Sequence, residues 1–171
     1  MDAKSVKESK AVKSAIVLPP DTNNIGTMFG GRVMAYVDDL AGLSAMRHSR
    51  MTVVTASTDS VDFLHPIKFD HSICLESMVT WTHNTSMEVF VRVIGEDLKT
   101  GERKVCATAF LTFVALDDDG NPHPVPQVIP ETEFEKKLHN TAPERARLRM
   151  KRRKKSRALA EEYGVSKPWE L

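Results

Sequence analysis

Residues 23–48 read NNIGTMFGGRVMAYVDDLAGLSAMRH, and the fold follows from how this stretch divides. Its first part is a loop: Asn23, Asn24 and Gly26 are residue types that tolerate turn conformations. Gly30 and Gly31 then let the backbone pass close to a neighbour with no side chain between. A helix follows. Val33, Val37, Leu40, Ala41 and Ser44 recur at the spacing of one helix face. The far end of that face is small (Ala41, Gly42, Ser44, Ala45), which allows close approach to a sheet.

Two acids, Asp38 and Asp39, interrupt this apolar helix. Neighbouring helical positions point about 100° apart, so one acid can face solvent while the other points somewhere drier, the alternative being that both are solvated. The helix start offers unpaired N–H groups and positive potential, suited to a carbonyl oxygen that is gaining charge. Gly31 and Asp38 lie roughly 10 Å apart along the axis. One chain therefore cannot easily present both to a single carbon. Two antiparallel copies can, which predicts a site shared between subunits.

The signature NxxGTMFGGRVMAYVDDLAG resembles that of the hotdog-fold acyl-CoA thioesterases, in the group of bacterial acyl-CoA hydrolases similar to the vertebrate cytosolic and brain enzymes. The resemblance continues through STDSVDFLHPIKFD, NTSMEV and FLTFVALDDDGNPHPVP, with Phe29 where some relatives place a His. It implies Asn23 and Asp38 as catalytic residues from opposite halves of a dimer. It also places the Asn84-Thr85-Ser86 turn near the bound coenzyme, which makes Thr85 and Ser86 substrate-binding candidates. Gly30 and Gly31 are candidates through the N–H groups of the helix start, and Thr58 through its place with Asp59 in a strand beside the helix, where local hydrogen bonding is the alternative. By the same resemblance the substrate is a fatty acyl-CoA, coenzyme A is a product, and the assembly is a hexamer built as a trimer of dimers.

Around the helix the pattern is β. Runs at 11–18, 53–63, 71–83, 86–97 and 104–116 are rich in Val, Ile, Thr and Phe, and turn residues separate them. The last three, joined by short turns, form an antiparallel meander. One long early helix followed by antiparallel strands is an α+β chain: a curved sheet around a central helix, the hotdog architecture. Residues 1–10 are polar and read as a mobile tail, 11–130 as the hotdog domain, and 131–171 as a basic helical extension. In that extension Thr141 and Glu144 match a capping box, and Gly164 ends the helix near Tyr163. Arg47, His48 and Arg50 place positive charge at the C-terminal end of the central helix.

Composition excludes several classes. Charged residues are 27%, hydrophobic ones 41%, and formal net charge is +1, as in an ordinary soluble protein. Cys74 and Cys106 sit in apolar runs and read as reduced core residues. No CxxC or His-rich cluster suggests a metal, and the expected chemistry needs no metal or redox cofactor. No apolar run is long enough to span a membrane, so the expected setting is the cytoplasm with no membrane partner. Nine of the cations fall within 145–157 with no acid among them, which leaves −8 on the rest of the chain. That run reads first as a solvated tail, paired or not with the acidic remainder of a neighbouring subunit; it also suits nucleic acid, an anionic membrane surface or coenzyme A phosphates. It contains no aromatic residue, which disfavours nucleobase stacking. His65 before Pro66 reads as a turn residue. Two rivals to a hydrolase are a hotdog dehydratase and a non-catalytic acyl-CoA sensor. The first would need a histidine near the helix start; the second would bind without turnover.

Overall fold

A computed structural model describes residues 1–170. It contains a first compact unit, Met1–His139, and a second from Asn140 onward.

The central helix α1 spans Gly30–Ser49. Phe29 precedes it in an extended conformation, with no side-chain cap. Arg50 ends it in the left-handed conformation at φ 59°, donating its N–H to the Met46 carbonyl at 2.7 Å. Val33, Val37, Leu40, Ala41 and Ser44 are all buried, as the periodicity predicts. His48 corrects the expectation of a charged helix end. It has no solvent exposure, and its Nε2 lies 2.8 Å from the Pro126 carbonyl. Burial lowers its pKa, and the nearby Lys4 ammonium adds to the effect, so at neutral pH the ring carries no charge.

Among the described residues seven strands occur: β1 Lys4–Ser5, β2 Ala11–Ile16, β3 Thr52–Phe63, β4 Ser72–Thr82, β5 Ser86–Glu96, β6 Arg103–Leu116 and β7 Val128–Ile129. Five form an antiparallel sheet in the order β2-β4-β5-β6-β3, so β3 lies at an open edge. Rows such as Leu75–Val93–Ala107 and Val79–Val89–Leu111 run across it, fully or almost fully buried. These rows face the apolar side of α1, and each fully buried Val or Leu contributes about 1.5–3 kcal/mol. The small residues act as anticipated. Ser77 on β4 donates to the Leu40 carbonyl at 3.0 Å, and its oxygen sits 2.6 Å from Ser44 Oγ, both residues buried. The helix is thus hydrogen-bonded to the sheet as well as packed on it.

The tail expected at residues 1–10 is built into this unit. Ser5 caps a 3-10 turn over Val6–Ser9, with Glu8 completing the capping box. Val6 and Ser9 are buried, and β1 pairs in parallel with β7.

A second helix, α2, spans Glu133–Tyr163. It starts earlier than expected. Thr132 Oγ1 accepts the Glu135 N–H at 3.2 Å, and Glu135 accepts the Thr132 N–H at 3.1 Å, a reciprocal cap. Glu135 is buried and also meets Lys10 Nζ at 2.7 Å. Burial pushes its carboxyl pKa up, but Lys10 and the backbone N–H groups of Glu131 and Thr132 outweigh that and hold it below its ordinary value. Thr141 and Pro143, expected at a helix start, lie inside α2. Gly164, at φ 69°, follows its last residue and donates to the Ala160 carbonyl at 3.0 Å. No described helix is long and apolar enough to cross a membrane.

Candidate functional site

The loop before α1 is shaped by Asn23. Its Oδ1 accepts the N–H groups of Ile25 and Thr27, each at 3.1 Å, and its Nδ2 donates to Thr27 Oγ1 at 2.8 Å. A carboxamide has two N–H donors, so one remains beyond those three bonds. The loop closes with Phe29 N–H on the Asp21 carbonyl at 2.8 Å and Met28 N–H on the Ile67 carbonyl at 2.7 Å.

This closure decides which donors at the helix tip are occupied. A helix leaves its first four N–H groups without internal partners. Phe29 N–H goes to Asp21 and Arg32 N–H turns back to the Phe29 carbonyl at 2.9 Å. Among the described residues, the Gly30 and Gly31 N–H groups have no acceptor in the chain. They are the two donors at the positive end of a 20-residue helix. A Cβ on Gly30 would stand 3.5 Å from the Phe63 ring, and one on Gly31 would stand 2.5 Å from the Phe29 ring. Both glycines therefore lie under aromatic cover.

Asp38 and Asp39 separate as expected: Asp38 is half-buried and Asp39 is exposed. Thr55 on β3 donates its hydroxyl to Asp38 Oδ1 at 2.9 Å. One carboxylate oxygen is thereby fixed, and the other is left for a reacting partner.

The remaining expected residues distribute less simply. Thr58 lies on β3 beside Leu111, three residues beyond Thr55, and is exposed. Its neighbour Asp59 accepts from Ser57 at 2.6 Å and Thr112 at 2.7 Å. Thr58 thus sits at the edge between Asp38 and the helix tip, but the threonine on the carboxylate is Thr55. The β3 register shifts between Thr55 and Ser57, which breaks the simple alternation along the strand. Ser86 precedes Met87, whose side chain is buried opposite Phe113, so by strand alternation Ser86 points away from α1. Thr85 gives its carbonyl to Ala115 N–H at 3.0 Å in the same turn. Neither residue meets the helix tip: Ser86 pairs with Val114 near the start of β3, whereas Gly30 lies by Phe63 at its end. His65 Nδ1 lies 3.1 Å from the Val105 carbonyl, a structural contact as expected.

The chain therefore carries two half-sites along α1. One is the tip, with Asn23, Gly30 and Gly31. The other is the midpoint, with Asp38 and Thr55. They stand roughly 10 Å apart along the helix axis. Among the described residues no cluster of three His, Cys, Asp or Glu is placed to hold a metal ion.

Comparison with known proteins agrees with this architecture. The Thioesterase superfamily profile matches residues 25–102. An uncharacterised acyl-CoA thioester hydrolase of Bacillus subtilis is 60% identical over 163 residues, 95% of each chain. The crystal structure of a hexameric acyl-CoA thioesterase superposes with a TM-score of 0.87 at 51% identity, covering 89% of this chain and 97% of that one. The Staphylococcus aureus acyl-CoA hydrolase, solved with butyryl coenzyme A, coenzyme A and coenzyme A disulfide, gives a TM-score of 0.90 at 45% identity over 94% and 98% of the two chains. That hydrolase has also been solved with single alanine substitutions at an Asp, a Thr and an Asn. In its sequence the Asn precedes the Asp by 15 positions and the Thr follows it by 17. The chain belongs to the hotdog-fold acyl-CoA thioesterases, in the group of the bacterial acyl-CoA hydrolases.

Proposed function

We propose that this protein hydrolyses fatty acyl-CoA thioesters to the free acid and coenzyme A, in sites built by two copies of the chain. The observation that carries the reading is the split of the half-sites: two unpaired glycine N–H groups at one end of α1, and a Thr55-anchored carboxylate at its middle. Antiparallel placement of two such helices sets each tip against the partner's midpoint.

Two further features support a paired arrangement. The outer face of α1 exposes Leu43 and Met46 in line with Asp39, and Met34 is exposed one turn before Asp38. Beside it β3 is a 12-residue edge strand with unpaired backbone groups, which a second copy would cover. The spacing of 15 from Asn23 to Asp38 and 17 from Asp38 to Thr55 also equals that of the substituted residues in the S. aureus hydrolase.

In the mechanism, the Gly30 and Gly31 N–H groups bind the thioester oxygen and stabilise the negative charge it acquires. Asp38 from the other copy, with Oδ1 held by Thr55, presents Oδ2 to the carbonyl carbon. It either takes the proton of an attacking water or attacks directly to give a mixed anhydride that water then opens. The C–S bond breaks and the sulfur leaves as coenzyme A thiolate, which takes up a proton. Asn23 uses its remaining N–H to orient the water or the carbonyl, while its other contacts keep the glycine loop in shape. Thr58, exposed between the two half-sites, lines the path of the thioester. The dimer is the minimal active unit, and a trimer of dimers is the assembly we assign. A coenzyme A substrate and two free thiols suit a reducing cytoplasmic compartment.

Release of free thiol from acyl-CoA substrates tests the reading. Asp38→Asn should fold as the parent does and lose most activity, whereas Asp39→Asn should be mild. Full turnover by Asp38→Asn would overturn the assignment.

A further inference from the structure

The function above leaves the basic end of α2 unused. Nine Lys or Arg residues lie within 145–157 with no acid, while the rest of the chain sums to −8. The residues from Lys151 to Arg157 are all exposed. Among the described residues, Lys151, Arg153, Lys154, Lys155 and Arg157 have no hydrogen bond or ion pair in the chain. Elsewhere several cations find partners: Lys10 meets Glu135, Arg92 meets Glu76 and Arg103 meets Glu96. At 100° per residue these five side chains point around the whole helix. One half of the helix surface carries Lys151, Arg153, Lys154 and Arg157 together, so that side presents four of them.

The segment after the helix adds a second feature. Gly164 stops α2, and beyond it Val165 is fully exposed and Trp169 is 77% exposed; Tyr163, the last helical residue, is also exposed. Lys167 Nζ stands 5.5 Å over the Trp169 ring. An exposed Trp, Tyr and Val next to a run of lysines and arginines is the combination that settles at a lipid–water interface. The cations neutralise anionic headgroups there and the aromatic rings enter the headgroup layer.

We propose that residues 151–169 form a peripheral docking surface for an anionic phospholipid bilayer. Charge complementarity chooses the occupant: residues 151–169 carry seven cations against two acids, which leaves −4 on the rest of the chain, so such a surface attracts this segment and repels the remainder. Nucleic acid fits less well, because the run has no aromatic residue among its cations while its aromatic residues follow it as a cluster. The docking does not depend on the thioesterase reading. It would nonetheless bring a hydrolase of amphiphilic thioesters to the surface where long-chain substrates and fatty-acid products partition.

The test uses the full-length protein with a Trp81→Phe change, so that Trp169 is the sole reporter, and phosphatidylcholine vesicles with and without phosphatidylglycerol. We expect sedimentation with the phosphatidylglycerol vesicles only, a blue shift of Trp169 emission on binding, and release at high salt. Neutralising Lys151, Arg153, Lys154, Lys155 and Arg157 to Gln should weaken vesicle binding at least about 25-fold, at roughly fivefold for each of two contacting cations. Thiol release from a short-chain substrate in free solution should stay unchanged in that variant. The proposal is overturned by absent vesicle binding, by equal binding of the neutralised variant, or by duplex DNA that the protein prefers to the vesicles.

Discussion

Replacing Thr55 by Val keeps the shape of the side chain and removes only the hydroxyl that holds Asp38. A hydrogen bond to an ionised group is worth about 1.5–3 kcal/mol net. Thr55 is exposed and Asp38 half-buried in the single chain, which argues for the lower end of that range. If the bond exerts its full value only in the transition state, where it fixes the carboxylate in its working orientation, about 1.5 kcal/mol corresponds to roughly a tenfold fall in kcat. KM should change little, because Thr55 contacts the carboxylate and not the remote coenzyme. Stability should fall by no more than about 1.5 kcal/mol, the value of the lost bond, since one β-branched residue replaces another on an exposed strand. Thr55→Ser keeps the donor and should stay near the parent rate. Thr58→Val, three residues along the same strand, should also be mild, because no carboxylate depends on that hydroxyl. Steady-state thiol-release kinetics with a urea melt of each variant measure all of this. Parental kcat in Thr55→Val would refute the idea that this contact sets the working carboxylate.

Two further outcomes follow from the packing. Ser77→Ala removes the donor to the Leu40 carbonyl and leaves Ser44 short of its partner, so urea denaturation should show a loss of about 1–3 kcal/mol; an unchanged midpoint would remove this bridge from the account. His48 is held neutral when folded, while the unfolded ring takes up a proton near its ordinary value of 6.5. The unfolded state therefore binds more protons as pH falls below about 6.5, and stability should decline from there until the folded ring also protonates. Denaturation between pH 8 and 5 should show that slope in the parent and lack its His48 part in His48→Gln, even if the variant is weaker throughout; parallel curves would show that His48 does not carry it.

Much of this was legible in the residues. The spacing of Val33, Val37, Leu40, Ala41 and Ser44 picks the buried face of α1, and the five long runs recover the main strands to within a residue or two. What stayed hidden depends on contacts between distant parts of the chain. Lys4 and Ser5 look like a charged tail because their partners, Val128 and Ile129, lie more than 120 residues away. The Ser5-to-Glu8 box was readable, but it announces only a local turn. Two Thr-x-x-Glu boxes compete for the start of α2. The first is used because Glu135 finds Lys10 as well as its own backbone, whereas at the second Thr141 serves the Arg145 guanidinium at 2.6 Å. Thr55 carries no mark in the sequence, because the bulge after it resets which residues share a face and no composition rule marks a bulge. His48 looked like a helix-end cation because the strap ending at Pro126, which covers it, is invisible in local sequence.

The central claim is that each site takes its carboxylate from one chain and its amide tip from another. Complementation tests it directly. Asn23→Ala and Asp38→Asn are each expected to be nearly inactive alone. Co-expressed, they should form mixed dimers in which one site joins the intact Asp38 of the first chain to the intact Asn23 loop of the second. Thiol release should then return, to about half the parental rate per mixed dimer by the count of intact sites. If mixed dimers form and release no more thiol than either variant alone, the site lies within a single chain and the account is wrong.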